Sequence, residues 1–152
     1  ELRLSVRFGV HLFYFTNTSV RLADADGEYP PPADESVLNR HLHASAVGKL
    51  LLAEKRDADT LLALTPATLT DRTVTSKSAL AEQLAEIREC GYAAQTGELR
   101  ADSACVAVPV RSAAATLVAA VAMSGPAEQE QLLRKQVPAL QDCATQLAPL
   151  LA

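Results

Sequence analysis

The first part of the chain carries an alternation of apolar and polar residues that predicts strands. Residues 2–8 alternate strictly, which is typical of a half-buried strand, and Gly9 is expected to end it. The aromatic segment 11–15 is expected to pair with this strand as a hairpin, and 20–23 to form a short third strand. Residues 29–35 contain three prolines, which remove backbone donors and fix φ, so this segment is predicted to be a long surface loop.

Helical periodicity dominates the middle of the chain. The run 45–53 begins with a serine suited to cap a helix, and 57–64 is predicted to be a second, shorter helix. A further set of apolar residues recurs at the spacing of an amphipathic helix. That helix is expected to start at Ser76 or Ser78 and to end at Gly91, which suits the left-handed position after a helix.

The last third of the chain returns to strands and then ends in helix. The apolar runs 105–110 and 116–123 predict a hairpin, and 92–95 predicts another strand. Pro109 indicates a sheet edge or a bulge. The C-terminal segment is predicted to be helical, with Pro138 starting or kinking the last helix. Strands at both ends of the chain with helices between them predict an α+β fold, a sheet with helices packed on it.

Composition narrows the class of protein. A chain of 152 residues, 49% of them hydrophobic, predicts a single globular domain spanning 1–152. The net charge of -4 without a basic stripe is a poor basis for DNA binding by these residues alone. No apolar run reaches the length that spans a membrane, so no membrane partner is expected. Three cysteines without paired spacing argue against a disulfide framework and fit a reducing cytoplasm.

Four short motifs occur in order along the chain. They are LHASAVGKLLLA at 42–53, IRECGY at 87–92, AVPV at 107–110 and SGP at 124–126. With these motifs at this spacing, the chain resembles the effector-binding domain of the IclR family of bacterial transcriptional regulators. The resemblance implies a GAF-like or profilin-like antiparallel sheet. It also implies pairing with copies of itself, as a homodimer or tetramer, and a DNA-binding winged helix-turn-helix before residue 1 in the intact protein.

The resemblance also implies where a small-molecule effector binds, between the start of the 45–53 helix and the late strands. The residues it assigns to this site are Ser45, Ala46, Val47, Gly48, Gln95, Ser103, Cys105, Ala122 and Ser124. None of them is charged. The first amides of a helix attract anions, so the expected effector is a small metabolite, most simply a carboxylate.

Each of these assignments has a plainer alternative. The small residues 46–48 also suit close packing of a helix on a sheet, and Ser124 also suits a turn before Gly125. A lone Cys105 is commonly a small buried hydrophobe. The chain departs from the family at 95–97, where Gln-Thr-Gly replaces acidic residues usual after the Gly-Tyr pair. The identity of the ligand therefore cannot be borrowed from a relative.

Other chemistries find less support in the residues. His41 and His43 have no third ligand that the sequence identifies, so neither a metal nor a cofactor is expected, although a metal at this pair stays open. Cys105 with a histidine such as His11 would make a nucleophile and base, but no catalytic motif orders them, so no enzyme is expected. Two alternatives to an effector sensor remain. One is a GAF-like dimerisation module, and the other is a stand-alone small-molecule-binding protein.

Overall fold

The structure of the protein is a computed structural model, which describes residues 8–24, 33–55 and 58–151. Five strands form one antiparallel sheet in the order β2-β1-β5-β4-β3. The strands are β1 Gly9–Phe15, β2 Val20–Asp24, β3 Ala93–Thr96, β4 Ser103–Arg111 and β5 Leu117–Pro126. The helices are α1 Glu35–Arg40, α2 Ala46–Glu54, α3 Ala58–Ala63, α4 Lys77–Cys90, α5 Glu130–Lys135 and α6 Val137–Leu151. The predicted α+β class is confirmed.

Alternate strand positions build two separate cores, one on each face of the sheet. On one face, residues of α1, α2 and α4 pack over Phe13, Cys105 and Ala107. On the other face, residues of α5 and α6 pack over Val106 and Val108. Because neighbours along a strand point to opposite faces, β4 contributes to both cores. The sheet is therefore the middle of three layers.

Helix α2 packs over several strand positions whose side chain is a single methyl group. Ala107, Ala120 and Ala122 are fully buried and share a core with Ala46 and Val47 at the start of the helix. Small side chains on both elements let the helix approach the sheet closely. This packing places the first turn of α2 against the centre of the sheet.

Local sequence signals place several boundaries correctly. Ser76 caps α4, and Gly91 ends it with a φ of 83° in the left-handed region. Pro138 is the second residue of α6, where the missing amide hydrogen has no partner to lose. Pro109 lies in strand β4 two residues after Ala107, where the pairing of β4 with β3 ends. This stretch of β4 is therefore an edge on that side, as predicted.

The predicted loop at 29–35 is wrong in its last part, because helix α1 begins at Glu35. The Asp34 side chain caps this helix. The Asn39 side chain donates to the carbonyl of Val20 at 2.9 Å and accepts from its amide at 2.7 Å. A six-residue helix is marginal alone, so this contact with β2 stabilises a helix that local pattern does not reveal. Residues 25–32 lie outside the described part of the chain.

The first strand also differs from the expectation. Strand β1 begins at Gly9, which pairs with Ser124 of β5. Ladder pairing overrides the weak strand propensity of glycine. The partners of segment 11–15 in the described residues are β2 and β5. The strand predicted at 2–8 lies almost wholly outside the described residues, so it stays a prediction.

Candidate functional site

The start of α2 is built by a serine cap and a close backbone approach. The Ser45 hydroxyl accepts a hydrogen bond from the Gly48 amide at 2.9 Å, as expected for an N-cap. A Cβ added at Gly48 would lie 2.3 Å from the carbonyl oxygen of Leu42, so only glycine fits between this helix and the preceding turn. The amides of Ala46 and Val47 open the helix and have no acceptor within it. Two amide donors therefore remain at the helix start.

A small cavity lies between this helix start and the sheet. Its volume is about 20 Å³, room for about one water molecule. The residues that line it are His11, Phe13, Leu38, Ser45, Ala46, Val47, Gln95, Leu99 and Cys105. The cavity is thus walled by β1, α1, α2, β3 and β4 and by the loop after β3, with apolar side chains between a few polar groups.

Gln95 lines this cavity and carries an unpartnered donor. Its side chain is 2% exposed, and its Oε1 accepts a hydrogen bond from the Glu98 amide at 3.0 Å. Its Nε2 is buried and has no hydrogen-bond partner. Such a group costs free energy unless something satisfies it, so it indicates a place where a polar partner belongs.

His11 and Cys105 are the other polar side chains at the cavity wall besides Ser45. His11 Nε2 lies 3.0 Å from the Ser124 hydroxyl oxygen, and both residues are buried. Burial raises the pKa of the Cys105 thiol to about 12. At neutral pH this thiol stays protonated, and a protonated thiol is a poor nucleophile. The pair is therefore unsuited to covalent catalysis.

The structure brings together some of the predicted site residues and leaves others apart. Those that line the cavity are Ser45, Ala46, Val47, Gln95 and Cys105. The other predicted residues, which do not line it, are Gly48, Ser103, Ala122 and Ser124. Of these, Gly48 donates its amide to the Ser45 cap. Ala122 is fully buried and pairs with His11 in the sheet. Ser124 contacts the cavity wall only through its hydrogen bond with His11. Ser103 pairs with Pro126 at the start of β4, and its hydroxyl is buried without a partner.

Sequence reasoning missed four residues of the cavity wall. They are His11, Phe13, Leu38 and Leu99. The signal for the first two was present, because His11 and Phe13 share one face of β1 by alternation. Leu38 belongs to the unexpected helix α1, and Leu99 to the loop after β3, so neither carried a local sign of its position.

A buried ion pair ties α2 to the loop that carries Leu99. Lys49 Nζ lies 2.7 Å from Glu98 Oε1 and donates to Gln83 Oε1 of α4 at 2.7 Å. Lys49 is 1% exposed, so burial lowers its pKa, although the charge and hydrogen bond of Glu98 oppose that shift. The Glu98 carbonyl also accepts from Thr73 Oγ1 at 2.6 Å. These contacts hold the loop in place over the cavity.

His41 and His43 form an edge-on pair with ring centroids 6.0 Å apart. His43 Nε2 lies 2.9 Å from the carbonyl oxygen of Ala67, which fixes that ring. Burial, followed by the charges of His43 and Arg40, lowers the pKa of His41. Within residues 8–24, 33–55 and 58–151, no three His, Cys, Asp or Glu side chains are grouped as a metal site would need.

A larger groove of about 390 Å³ lies on the opposite side of the sheet, between α6 and β4. Its charged residue, Arg111, is already paired with Glu54 at 2.9 Å. None of the buried unpartnered polar atoms in the described residues lies there. The smaller cavity at the start of α2 is therefore the better candidate for a specific ligand site. Among the described helices, none has the length and apolar character needed to cross a bilayer.

Comparison with known proteins places this fold in a family. Residues 38–148 match the family model described as bacterial transcriptional regulator IclR C-terminal. The chain belongs to this family, and the resemblance seen in the sequence motifs is confirmed. The HTH-type transcriptional regulator BhcR of Paracoccus denitrificans (strain Pd 1222) is 38% identical over 99 residues, which make up 63% of this chain and 34% of BhcR. The match thus spans about a third of that relative.

Two solved structures share the fold. The C-terminal domain of the Escherichia coli transcriptional regulator KdgR is 27% identical, with a TM-score of 0.77 over 97% of this chain and 90% of that one. The inducer-binding domain of the transcription factor PobR from Acinetobacter, solved as a double mutant with 3-hydroxybenzoic acid, is 21% identical, with a TM-score of 0.79 over 97% of this chain and 91% of that one. At that identity, the second comparison concerns the fold alone.

Proposed function

We propose that this chain is the effector-sensing domain of an IclR-type transcriptional regulator, and that a small carboxylate-bearing metabolite binds in the cavity at the start of α2. The observation that carries the proposal is the buried, unpartnered Nε2 of Gln95 at the wall of a cavity beside a helix N-terminus. A buried donor without a partner and a helix start both favour an acceptor-bearing or anionic ligand. The PobR domain, which shares the fold, has been solved with a carboxylic acid.

The carboxylate would be held by neutral groups. The amides of Ala46 and Val47 are available, whereas the Gly48 amide serves the cap, so two amides act on the ligand. The Ser45 hydroxyl keeps its own hydrogen for donation while it accepts from Gly48. Lys49 is paired with Glu98 and lines a different pocket, together with Gln83 and Glu86. Binding therefore depends on hydrogen bonds and the helix dipole rather than on a cation.

Entry of a metabolite would require side chains to move. The cavity of about 20 Å³ holds about one water, and Leu99 and Phe13 close its apolar sides. The bound form of the domain would thus differ from the ligand-free form in the positions of the Leu99 and Phe13 side chains. A ligand that favours one of two forms shifts the balance between them. In paired domains, this shift would alter the affinity of DNA-binding heads that lie outside this chain.

The partner side of the proposal has its own tests. The intact polypeptide is expected to carry a winged helix-turn-helix before residue 1, and the domain is expected to form a homodimer or tetramer. Reading the upstream coding sequence checks the first point, and sedimentation of the domain checks the second. An unrelated upstream domain, a strict monomer, or salt-sensitive DNA binding by these residues alone in a gel-shift assay would each contradict the regulator model.

A thermal-shift screen of small carboxylates against their amides tests the ligand proposal. A carboxylate at about 100 times its dissociation constant adds about 2.7 kcal/mol to the free energy of unfolding. In a domain of this size, that corresponds to a rise in melting temperature of roughly 5–10 °C. Val47→Asp should remove this rise, because its carboxylate lies where the ligand's would. Leu132→Asp, an equal change at an exposed position on α5, should leave it intact.

Ser124→Ala refines the same test. It removes the hydroxyl that contacts His11 Nε2 but does not line the cavity, so the free energy of unfolding should fall by roughly 1 kcal/mol while the ligand response persists. Equal stabilisation by amides and acids, or an unchanged response in folded Val47→Asp, means that the helix start is not the site. A domain that no small acid stabilises would instead fit the alternative of a dimerisation module without an effector.

A further inference from the structure

Two stretches of the sheet edge are protected against further strand pairing. At β2, the outer amides of Val20 and Leu22 donate to side chains of α1, so that helix occupies the edge. On β4 beyond the end of β3, Pro109 has no N–H to offer an added strand. Covering helices and prolines both keep strand edges from pairing with other chains. Strand β3, at the other side of the sheet, contains no proline, and a groove lies along its outer edge.

The outer edge of β3 presents backbone groups that an added strand can use. Gln95 pairs with Cys105 of β4, and the Gly97 amide continues the ladder by donating to the Ser103 carbonyl at 2.8 Å. Because the backbone groups of successive strand residues point to opposite sides, Ala94 faces away from β4. Among the described strands, β3 pairs with β4 alone. The N–H and C=O of Ala94 are therefore available to a further strand.

The groove along this edge has a volume of about 160 Å³. Tyr92 and Ala94 form its strand side. Helix α4 contributes Glu86 to one wall, and α5 contributes Arg134 to the other. A strand added at Ala94 would lie between these two helices, with alternate side chains facing α4.

The wall formed by α4 carries an acidic ridge, which consists of Glu82, Glu86 and Glu89. These residues are exposed and spaced so that they share one face of the helix. No ion pair in the part of the chain that the structure describes involves them. Arg88 is directed at α2 instead, since its Nε donates to the Ala53 carbonyl at 2.7 Å. The ridge therefore keeps its negative charge.

The two cations that line the groove do not offset this charge. Lys49 Nζ is paired with Glu98 at 2.7 Å, and the Lys49 side chain is 1% exposed. Arg134 is paired with Glu130 at 3.5 Å across one turn of α5. Each cation thus has its own carboxylate, and the charge left over beside the β3 edge is negative.

We propose that the outer edge of β3 is a docking site for a protein partner, which adds an extended basic segment to the sheet as a further strand. Hydrogen bonds to the backbone of Ala94 would hold the segment, and basic side chains on its α4 face would pair with the acidic ridge. Pairing of two β3 edges about a two-fold axis keeps equivalent faces together, so it would bring two acidic ridges side by side. Like charges oppose that arrangement, which favours a basic partner over a second copy.

Short synthetic peptides test the proposal on the 152-residue chain. A peptide that alternates lysine and valine should bind, and its affinity should fall as the salt concentration rises. The matched peptide that alternates glutamate and valine should bind at least about tenfold more weakly, because it faces the ridge with like charge. The lysine peptide with N-methylated backbone amides should also lose about tenfold or more, since it keeps the charge but cannot pair as a strand. Fluorescence anisotropy measures the affinities, and the Ala94 amide resonance reports the place of binding.

Variants of the chain separate the backbone from the charge. Ala94→Pro removes an outward-facing N–H, a change that an edge strand tolerates, and should lower the affinity about tenfold. Ala94→Val keeps the N–H and should bind as the parent does. Glu86→Gln should weaken binding about two- to fivefold, as expected for one exposed charge pair. Asp142→Asn, an equal change at an exposed position on α6, should not weaken it.

Three results would overturn the proposal. Equal binding of the basic and acidic peptides would remove the role of the ridge. Undiminished binding by folded Ala94→Pro, or by the N-methylated peptide if that variant does not fold, would mean that no strand is added. A dimer of the chain that Ala94→Pro dissociates in sedimentation would assign the edge to a second copy. Binding of the lysine peptide that shifts the Ala94 resonance and responds to both Ala94→Pro and Glu86→Gln supports it.

Discussion

Replacing Glu98 by glutamine should destabilise the domain far more than an ordinary surface charge deletion. The change keeps the size of the side chain but removes the charge that compensates Lys49, which is 1% exposed. Removing one partner of a buried ion pair typically costs about 3–5 kcal/mol, because the other charge stays buried without compensation. Lys49 keeps Gln83 as an acceptor, and residue 98 keeps an amide oxygen, so the lower end of the range, about 3 kcal/mol, is expected. That corresponds to a drop in melting temperature of roughly 6–12 °C.

The double variant Lys49→Met with Glu98→Leu should recover most of this loss. Replacing both charges with apolar side chains of similar volume removes the desolvation cost together with the attraction, and such exchanges are often neutral or stabilising. The matched control is Glu54→Gln, which breaks the half-exposed pair between Glu54 and Arg111. Exposed pairs contribute at most about 1 kcal/mol, so this variant should melt close to the parent.

The pH dependence provides a second readout of the same effect. Burial lowers the pKa of Lys49 in the folded chain, so the unfolded chain binds more protons between that lowered pKa and the ordinary value of 10.5. Stability from this group therefore rises with pH across that window. Without the opposing charge of Glu98, the shift grows, and Glu98→Gln should regain stability relative to the parent as the pH approaches 10.5. Chemical denaturation of parent and variant measures both effects. A loss in Glu98→Gln no larger than in Glu54→Gln, or a gap that does not narrow at high pH, would refute the argument.

Two further predictions concern the helix start and the cysteines. Gly48→Ala should lower the free energy of unfolding by about 1–3 kcal/mol or more, because the new Cβ would lie 2.3 Å from the backbone oxygen of Leu42, which cannot move alone. Urea unfolding measures this loss. A loss smaller than that of a typical surface substitution would mean that the helix can shift to make room. Iodoacetamide at pH 8 should modify exposed Cys90 and spare buried Cys105, whose pKa of about 12 keeps it protonated. Burial of the neutral Cys105 thiol contributes stability that is complete below the ordinary thiol pKa of 9.0 and is lost as the pH rises towards 12. Mass spectrometry reads out the labelling. Modification of Cys105 in the folded chain at pH 8 would contradict the burial argument.

Elements whose signals are local could be predicted from the sequence. Helix α4 begins at a serine cap, follows a helical period and ends at Gly91, and each of these marks acts within a few residues of itself. Helix α1 could not be predicted, because a preceding run of prolines favours a loop while the decisive contact of Asn39 with Val20 joins separate elements. Intrinsic preference is a weak guide where tertiary contacts decide.

The same division applies to the site. The capped start of α2 at Ser45 was recognisable in the sequence, because a cap and a run of small residues are adjacent in the chain. Alternation places His11 and Phe13 on one face of β1, but the loop with Leu99 meets that face only through strand order and loop position, which residue spacing does not encode. The polarity of Gln95 depends on a single amide of Glu98 three residues further on. The sequence alone does not reveal which end of the Gln95 side chain already has a hydrogen-bond partner.

The cavity wall is assembled from segments scattered over most of the chain, from His11 on β1 through Ser45 on α2 to Cys105 on β4. No partly unfolded form that has released α2 or separated β1 from the sheet retains it. Ligand free energy would therefore be added to unfolding of the whole domain, and the amide hydrogens that exchange most slowly would slow by the same factor. If the proposed function holds, the metabolite would then govern the lifetime of the regulator in the cell as well as its affinity for DNA, because proteases act on the unfolded fraction. Under that proposal, scarcity of the effector would deplete the sensor itself.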